Sequence, residues 1–234
     1  MIDHRPLSGL PKANIGWLRA RHHFPVDGRP DPLHRPLKAL YVWNDDEFAA
    51  RHGFPLHYHE NVEIVTYVRG GAVTHEDTLG NSYEIKAGDV QVMSTGSGLR
   101  HSEFNRGPMP LKLFQIWLSP NQVGGAPRYA TKRFPGDERP NQLVVLASGM
   151  PQDMMSDALP LRANARLLAG HIEAGHSLTH EIAPGHDLYI VPSAGRVRVA
   201  DIEVNAGDGV AVVNEAFVEF HALQNTEIVV VELA

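Results

Sequence analysis

Two short segments carry the residues with the most distinctive chemistry in this sequence. His57 and His59 are separated by one residue, and His101 and Glu103 repeat that spacing further along the chain. Alternate residues of a β-strand point to the same face, so each pair places two potential metal ligands on one side of a strand. Two such strands facing each other would gather three imidazoles and one carboxylate. This donor set suits Fe(II), Zn, Cu, Ni, Co or Mn, and it leaves positions open for water, O₂ or a substrate.

The spacing around these residues matches the two cupin motifs. After the first histidine pair come three residues, then Glu63, then six residues and Gly70. In the second segment two residues separate Gly98 from His101, and three residues separate His101 from Asn105. The glycines suit hairpin turns that need a positive φ. The competing interpretation is a hydrogen-bonded polar cluster in the mouth of a barrel, without a metal.

Most of the remaining sequence consists of short β-branched runs bounded by Gly, Pro, Asn and Asp. Regularly spaced runs of this kind predict an all-β protein. Helix signals are few, and single turns are expected only at 44–47 and within 151–158.

The chain also repeats itself. The segment 67–73 is echoed by 190–197, and 87–92 is echoed by 206–212, with an Ala-Gly-Asp corner in each copy of the second pair. Each copy contains a strand, a turn and a further strand. The repeat predicts two tandem cupin barrels of the double-stranded β-helix, or jelly-roll, type.

We expect an N-terminal metal-binding barrel over 1–125 and a C-terminal barrel over 126–234. The stretch 119–141, rich in Gly, Pro and charge, is the predicted connection. Aligning the repeats shows no ligand in the second barrel. His221 is offset by one residue and would point the other way, unless loop lengths differ between the barrels. The positions equivalent to His57, His59, Glu63, His101 and Glu103 hold Ile182, Pro184, Leu188, Phe220 and Ala222.

The segment 53–105 resembles the pirin branch of the cupins, in particular bacterial pirins with quercetinase-like activity. The likeness extends to 17–24 and 114–117. It implies O₂-dependent opening of the central ring of a flavonol such as quercetin, with release of carbon monoxide. The resemblance makes Glu103 the plausible proton acceptor, and Fe(II) is the favoured metal. The implied ligands of a single metal ion are His57, His59, His101 and Glu103.

Two residues depart from the pirin pattern. Tyr58 stands where pirins usually have Pro, and Glu60 stands where they usually have Arg. Both flank the metal ligands, so they place substrate choice in question more than metal binding.

Further residues are candidates for supporting roles around the site. Glu63 is expected either to orient a histidine N–H or to pair, half-buried, with Arg or Lys. The segment 75–77 is expected to be a solvated hairpin, and Arg100 a surface or salt-bridge residue. Candidates for a pocket wall, with ordinary barrel core as the alternative, are Phe54, Met93, Phe104, Gln115 and Trp117.

Composition narrows the class of function. The net charge of −6 argues against a nucleic-acid partner, and the absence of cysteine excludes disulfides and thiol catalysis. Neither an apolar signal region nor a membrane span is evident, which predicts a cytoplasmic protein.

The expected partners are therefore a small aromatic substrate and O₂, and the expected class is a dioxygenase. One alternative is a metal-containing regulatory or redox-sensing protein that binds a protein partner. Another is isomerisation or hydrolysis of a small polar substrate, which predicts charged residues rather than aromatic ones in the pocket.

Overall fold

The computed structural model describes residues 1–25, 34–133 and 139–234, and its regular structure is almost entirely β-strand. Single 3₁₀ turns occur at Leu7–Gly9 and Pro151–Asp153. In chain order the strands are β1 (Ile2–Arg5), β2 (Lys12–Asn14), β3 (Leu18–His22), β4 (Leu40–Phe48), β5 (Gly53–His59), β6 (Glu63–Gly70), β7 (Ala72–Asp77), β8 (Ser82–Lys86), β9 (Asp89–Ser94), β10 (Leu99–Phe104), β11 (Leu111–Leu118), β12 (Arg128–Arg133), β13 (Val144–Ser148), β14 (Leu159–Pro160), β15 (Ala165–Ile172), β16 (Ser177–Glu181), β17 (Asp187–Ala194), β18 (Arg196–Val199), β19 (Ile202–Asn205), β20 (Gly209–Val212), β21 (Phe217–Ala222) and β22 (Thr226–Leu233).

The all-β class is thus confirmed, but one of the two expected turns is wrong. Residues 44–47 lie inside β4, whereas the turn within 151–158 is present. The polar sequence at 44–47 resembles a helix start, yet it lies between Trp43 and Phe48, which are both fully buried. Burial of the flanking aromatic side chains in a sheet overrides the local preference of Asn and Asp for turns and caps.

The described residues form two compact units. The N-terminal unit comprises those of 11–133 together with 159–163, and the C-terminal unit comprises 1–10, 139–158 and 164–234. The boundary after residue 125 stays a prediction. The first ten residues group with the C-terminal strands because β1 pairs with β20.

The N-terminal unit is a two-sheet barrel. Its larger sheet has the strand order β12-β9-β6-β11-β4-β3-β2, and its smaller sheet has the order β5-β10-β7-β8. An apolar cluster joins the two sheets, because Phe48 and Val68 of the larger one pack with Val73 and Ile85 of the smaller one. The remaining interior of this unit contains a second apolar cluster, around Met93, and the polar residues of the candidate site.

The C-terminal unit repeats this plan. Its larger sheet contains the order β1-β20-β17-β22-β15-β13, and its smaller sheet has the order β16-β21-β18-β19. The two tandem barrels predicted from the repeat are confirmed. Most positions equivalent to the ligand candidates are buried in one apolar cluster, and His221 instead bonds Ser177 Oγ at 2.9 Å. The buried equivalents are Ile182, Leu188, Phe220 and Ala222, whereas Pro184 is exposed.

A charged cluster in the C-terminal unit surrounds Glu232, whose side chain is fully buried. It accepts hydrogen bonds from His180 Nε2 at 3.0 Å, His186 Nδ1 at 2.7 Å and the Arg166 guanidinium at 2.8 and 3.0 Å. Burial alone would raise a carboxyl pKa, but these bonds outweigh it and lower the pKa of Glu232 to about 2. The ionised carboxylate therefore stabilises the fold.

We expect Glu232→Gln to lower the free energy of unfolding at pH 7 by about 3 kcal/mol, because it removes the fully buried counter-charge of Arg166 and leaves that guanidinium with Asp153, at 3.7 Å. Because the pKa of Glu232 is lower in the folded state than in the unfolded state, its ionisation stabilises the folded protein at pH values above the unfolded-state pKa of about 4.5. This contribution is lost as the pH falls towards 2. Urea unfolding from pH 7 to pH 3 should therefore show a flatter acid limb in the variant. Glu219→Gln, at an exposed position of β21, is the control. The same acid limb in Glu232→Gln and the wild type would contradict this account.

Among the described residues, no helix has the length and apolar character needed to cross a membrane.

Candidate metal centre

Neighbouring strands of the smaller N-terminal sheet position the histidines. In the antiparallel pair β5–β10, His57 lies opposite His101, and the register shifts between His101 and Glu103. This irregularity brings β5 unusually close to β10 at its start. A Cβ on Gly53 would overlap the carbonyl oxygen of Glu103, so only glycine fits there.

Three imidazoles converge in front of these strands. The ring centroids of His57 and His101 are 4.3 Å apart, those of His57 and His59 4.8 Å, and those of His59 and His101 5.2 Å. One ring nitrogen from each lies within 4.8 Å of the other two. The separations suit three ligands around one cation.

The protonation pattern of the imidazoles also fits a metal. His57 Nδ1 lies 2.8 Å from the carbonyl oxygen of Pro55, to which it can only donate, so Nε2 is the nitrogen of this ring that could bind a metal. Both ring nitrogens of His101 are buried without a hydrogen-bond partner. Burial, with a contribution from nearby histidines, lowers the pKa of His101 to about 2 and that of His59 to about 4. Both are neutral at pH 7, the form that binds a metal.

Glu103 lies beside the three imidazoles and is surrounded by hydrogen-bond donors. Gln115 Nε2 donates to one carboxylate oxygen at 2.6 Å, while Gln91 Nε2 at 2.8 Å and Thr66 Oγ1 at 3.4 Å donate to the other. Burial raises the pKa of Glu103 to about 7 against the opposing effect of these bonds. Its oxygen is grouped with ring nitrogens of His75 and His101. The structure therefore brings three of the four expected ligands together and holds Glu103 in an adjoining group that shares His101.

His75 is a site residue that the sequence interpretation missed, and the expected solvated hairpin at 75–77 is wrong. Its side chain is fully buried, stacks on Tyr129 at 4.4 Å and bonds Asp77 Oδ2 through Nε2 at 3.1 Å. In the β7–β10 register His75 lies opposite Glu103, which turns it into the barrel. The signal was present in the sequence, because Val73 and His75 share a strand face and Val73 is apolar.

A cavity of about 250 Å³ opens in front of the imidazoles. Phe54, Gln115 and Trp117 line it, and the Trp117 ring meets the His59 ring edge to face at 5.0 Å. The sequence interpretation placed Met93 and Phe104 here as well, but the structure does not. Met93 is fully buried in a separate apolar cluster, and Phe104 points away because it follows inward-facing Glu103 on the same strand.

Two polar residues of β4 line the cavity without having been anticipated. Asn44 and Asp46 fall on alternate positions of this strand and face the interior. They lie in the segment that local sequence preference assigned to a turn, so no inward face was expected for them.

Glu63 is buried in the same unit but bonds no imidazole in the described structure. It accepts hydrogen bonds from Ser94 Oγ at 2.6 Å and from the backbone N–H of Arg162 at 3.0 Å. Burial raises the pKa of Glu63, while these bonds and the Arg162 charge oppose the rise. Its contacts tie β6 to β9 and to the segment around Arg162.

The two departures from the pirin pattern interact with each other outside the cavity. Tyr58 is about half exposed, and its hydroxyl donates to Glu60 Oε2 at 2.9 Å. Its ring covers Gly98, where a Cβ would overlap the phenol oxygen. Alternation along β5 turns Tyr58 away from the face that carries His57 and His59. The departures therefore change the outer surface and leave the cavity wall unaltered.

Comparison with known proteins places this fold and site in a family. Residues 5–118 match the family model described as Pirin, and residues 145–233 match the model described as Quercetinase C-terminal cupin domain. A pirin-like protein of Caulobacter vibrioides is 46% identical over 234 residues, covering 100% of both chains. A quercetin 2,3-dioxygenase of Escherichia coli K12 is 34% identical, covering 100% of this chain and 99% of the relative.

Solved structures agree with the sequence relatives. The crystal structure of the bacterial pirin YhhW from Escherichia coli in complex with nickel(II) superposes with a TM-score of 0.92 and 32% identity, covering 100% of this chain and 99% of that one. Two cupin barrels, one of them with a histidine cluster, define a bicupin. This chain belongs to the pirin family, as the sequence resemblance indicated.

Proposed function

We propose that this protein is a metal-dependent dioxygenase that cleaves a flavonol such as quercetin with O₂. The observation that carries the proposal is the cluster of His57, His59 and His101 in the wall of a cavity with aromatic lining. Relatives named quercetin 2,3-dioxygenase support the substrate class, and the nickel(II) complex of a similar pirin supports a single bound metal ion.

The ring nitrogens of His101, which have no hydrogen-bond partner, and Nε2 of His57 are suitable ligands for a divalent metal. The proposed ligands are His57, His59, His101 and Glu103, and Fe(II) is the favoured ion among those that this donor set accepts. A bound metal would supply a Lewis acid for the substrate's 3-hydroxyl oxygen and a redox partner for O₂.

The protein's own groups would orient the substrate and handle its proton. Phe54 and Trp117 offer apolar faces to a flat aromatic ring. A Glu103 oxygen that does not bind the metal takes the proton of the 3-hydroxyl. The amides of Gln91 and Gln115 keep the carboxylate from rotating during the transfer. Ring opening then places both atoms of O₂ in the product and releases one ring carbon as carbon monoxide.

The proposal is tested by carbon monoxide release from quercetin and O₂. Protein reconstituted separately with Fe(II), Cu(II), Ni(II), Co(II) or Mn(II) is compared with metal-free protein. We expect release that depends on the metal and identifies the competent ion. If no fully loaded form releases carbon monoxide, the flavonol dioxygenase assignment is wrong.

A further inference from the structure

Asp46 is a buried carboxyl group that the fold does not explain. It lies in the middle of β4, between Ala20 of β3 and Leu113 of β11, and is only 3% exposed. Its Oδ1 has no hydrogen-bond partner, and Asp46 makes no ion pair within the described ranges. A buried polar atom without a partner costs stability, so a residue of this kind is retained for another reason.

The neighbouring acidic residue, Asp45, has a partner that Asp46 lacks. Asp45 points to the opposite face of β4 and pairs with the Arg69 guanidinium, so its charge is compensated. Burial, together with the charges of Asp45 and Glu103, raises the pKa of Asp46 well above its usual range. Asp46 is therefore a polar side chain in the barrel interior, where burial and the neighbouring acids disfavour its ionised form.

Asp46 also has an acceptor oxygen available for a further hydrogen bond, whereas the acceptor oxygens of the neighbouring cavity residues are already bonded. Asn44 Oδ1 is taken by His22 Nδ1 at 2.8 Å. Gln115 uses Nε2 on Glu103 at 2.6 Å, and its Oε1, at 3.3 Å from Thr66 Oγ1, shares the single Thr66 hydroxyl hydrogen with Glu103. Asp46 lines the same cavity, and its buried Oδ1 accepts no hydrogen bond. It belongs to the larger sheet, whereas the imidazoles belong to the smaller one, so a ligand in the cavity lies between them.

We propose that Asp46 determines specificity by hydrogen-bonding a phenolic hydroxyl of the substrate other than the one that reaches the metal. A hydroxyl suits this position because it donates to an ionised carboxylate and accepts from a protonated one. The aromatic ring that carries it fits against Phe54 and Trp117. The preferred substrates are then polyhydroxylated aromatics rather than bare ones. This inference rests on the proposed function, because it names the substrate class of the same cavity.

The test compares quercetin with 3-hydroxyflavone, which has the 3-hydroxyl alone. Dissociation constants are measured on metal-free protein by tryptophan fluorescence quenching, and kcat/KM by carbon monoxide release from the loaded enzyme. The variants are Asp46→Leu, which removes the polar group at similar volume, and Asp46→Asn, which keeps a hydrogen-bonding amide. Glu47→Gln is the control, since it neutralises the acid on the other side of Asp46 in β4, whose carboxylate pairs with exposed Arg19.

We expect the wild type and Glu47→Gln to favour quercetin by about 10- to 100-fold in both measurements. In Asp46→Leu the preference should collapse to within about threefold through loss of quercetin affinity, and Asp46→Asn should retain part of it. The Tm of Asp46→Leu should equal or exceed that of the wild type, because an unpartnered buried oxygen has been removed. If Asp46→Leu does not fold, the Asp46→Asn ratio decides.

An unchanged quercetin preference in a folded Asp46→Leu protein would overturn the inference. A wild-type preference for quercetin that depends on Asp46, without carbon monoxide release from any loaded form, would reject the dioxygenase assignment and leave the role of Asp46 standing. Carbon monoxide release with equal kcat/KM for the two flavonols would reject the role of Asp46 and leave the dioxygenase standing.

Discussion

Replacing both His57 and His59 by alanine should leave a folded protein that no longer binds a metal. The two rings supply two of the three converging imidazoles, and the variant keeps the adjoining group of His75, His101 and Glu103. That group is a weak site for a divalent ion, because His75 Nε2 bonds Asp77 and both Glu103 oxygens accept hydrogen bonds from amides. Both side chains are only partly buried, so their removal costs the core little. Bound metal per chain, measured after loading and desalting, should fall to the background level.

His52→Ala is the matched control for this double variant. His52 is exposed, lies just before β5, and its Nδ1 bonds only the nearby carbonyl oxygen of Ala50. We expect His52→Ala to bind metal as the wild type does. Unchanged metal content in the His57→Ala, His59→Ala protein, with a native circular dichroism spectrum, would remove these residues from the ligand set.

The positions of the histidines were predictable because strand alternation is a local property. Residues two apart share a face whatever the strand pairs with, and this places His57 with His59 and His101 with Glu103. The barrel repeat was predictable for the same reason, since each copy carries its own turns and alternation. The apolar replacements in the C-terminal barrel, such as Phe220, follow from the same alignment and are buried as expected.

The missed residues depend on pairing between distant strands. His75 enters the site because β7 pairs with β10 in the register that sets it opposite Glu103. Asp46 reaches the cavity because β4 lies beside β11 in the larger sheet. Neither register can be obtained from local sequence, and in β4 the local preference for a turn pointed the wrong way. For Met93 the error is of another kind. Its side chain points into the barrel as expected, but it packs in the apolar core and does not reach the cavity surface.

Glu103→Gln should separate metal binding from turnover. Glutamine has nearly the volume of glutamate and its carbonyl oxygen still accepts one bond, so some metal affinity should remain. Its amide, however, takes no proton near pH 7, and its NH₂ group would meet the amide donors of Gln91 or Gln115. If Glu103 is the proton acceptor, kcat should fall by about 10²- to 10⁴-fold. Turnover equal to that of the wild type at equal metal content would reject the base role.

The metal-free protein offers a second measurement on the same variant. Burial raises the pKa of Glu103 from 4.5 to about 7, so the folded state holds this proton more tightly than the unfolded state does. The free energy of unfolding should therefore decrease as pH rises from about 4.5 to about 7, and Glu103→Gln should lack this contribution. A pH dependence of urea unfolding that is the same in both proteins would mean that the carboxyl group is already ionised at low pH. In that case the hydrogen bonds from Gln91 and Gln115, rather than burial, would control the pKa of Glu103 in the metal-free protein.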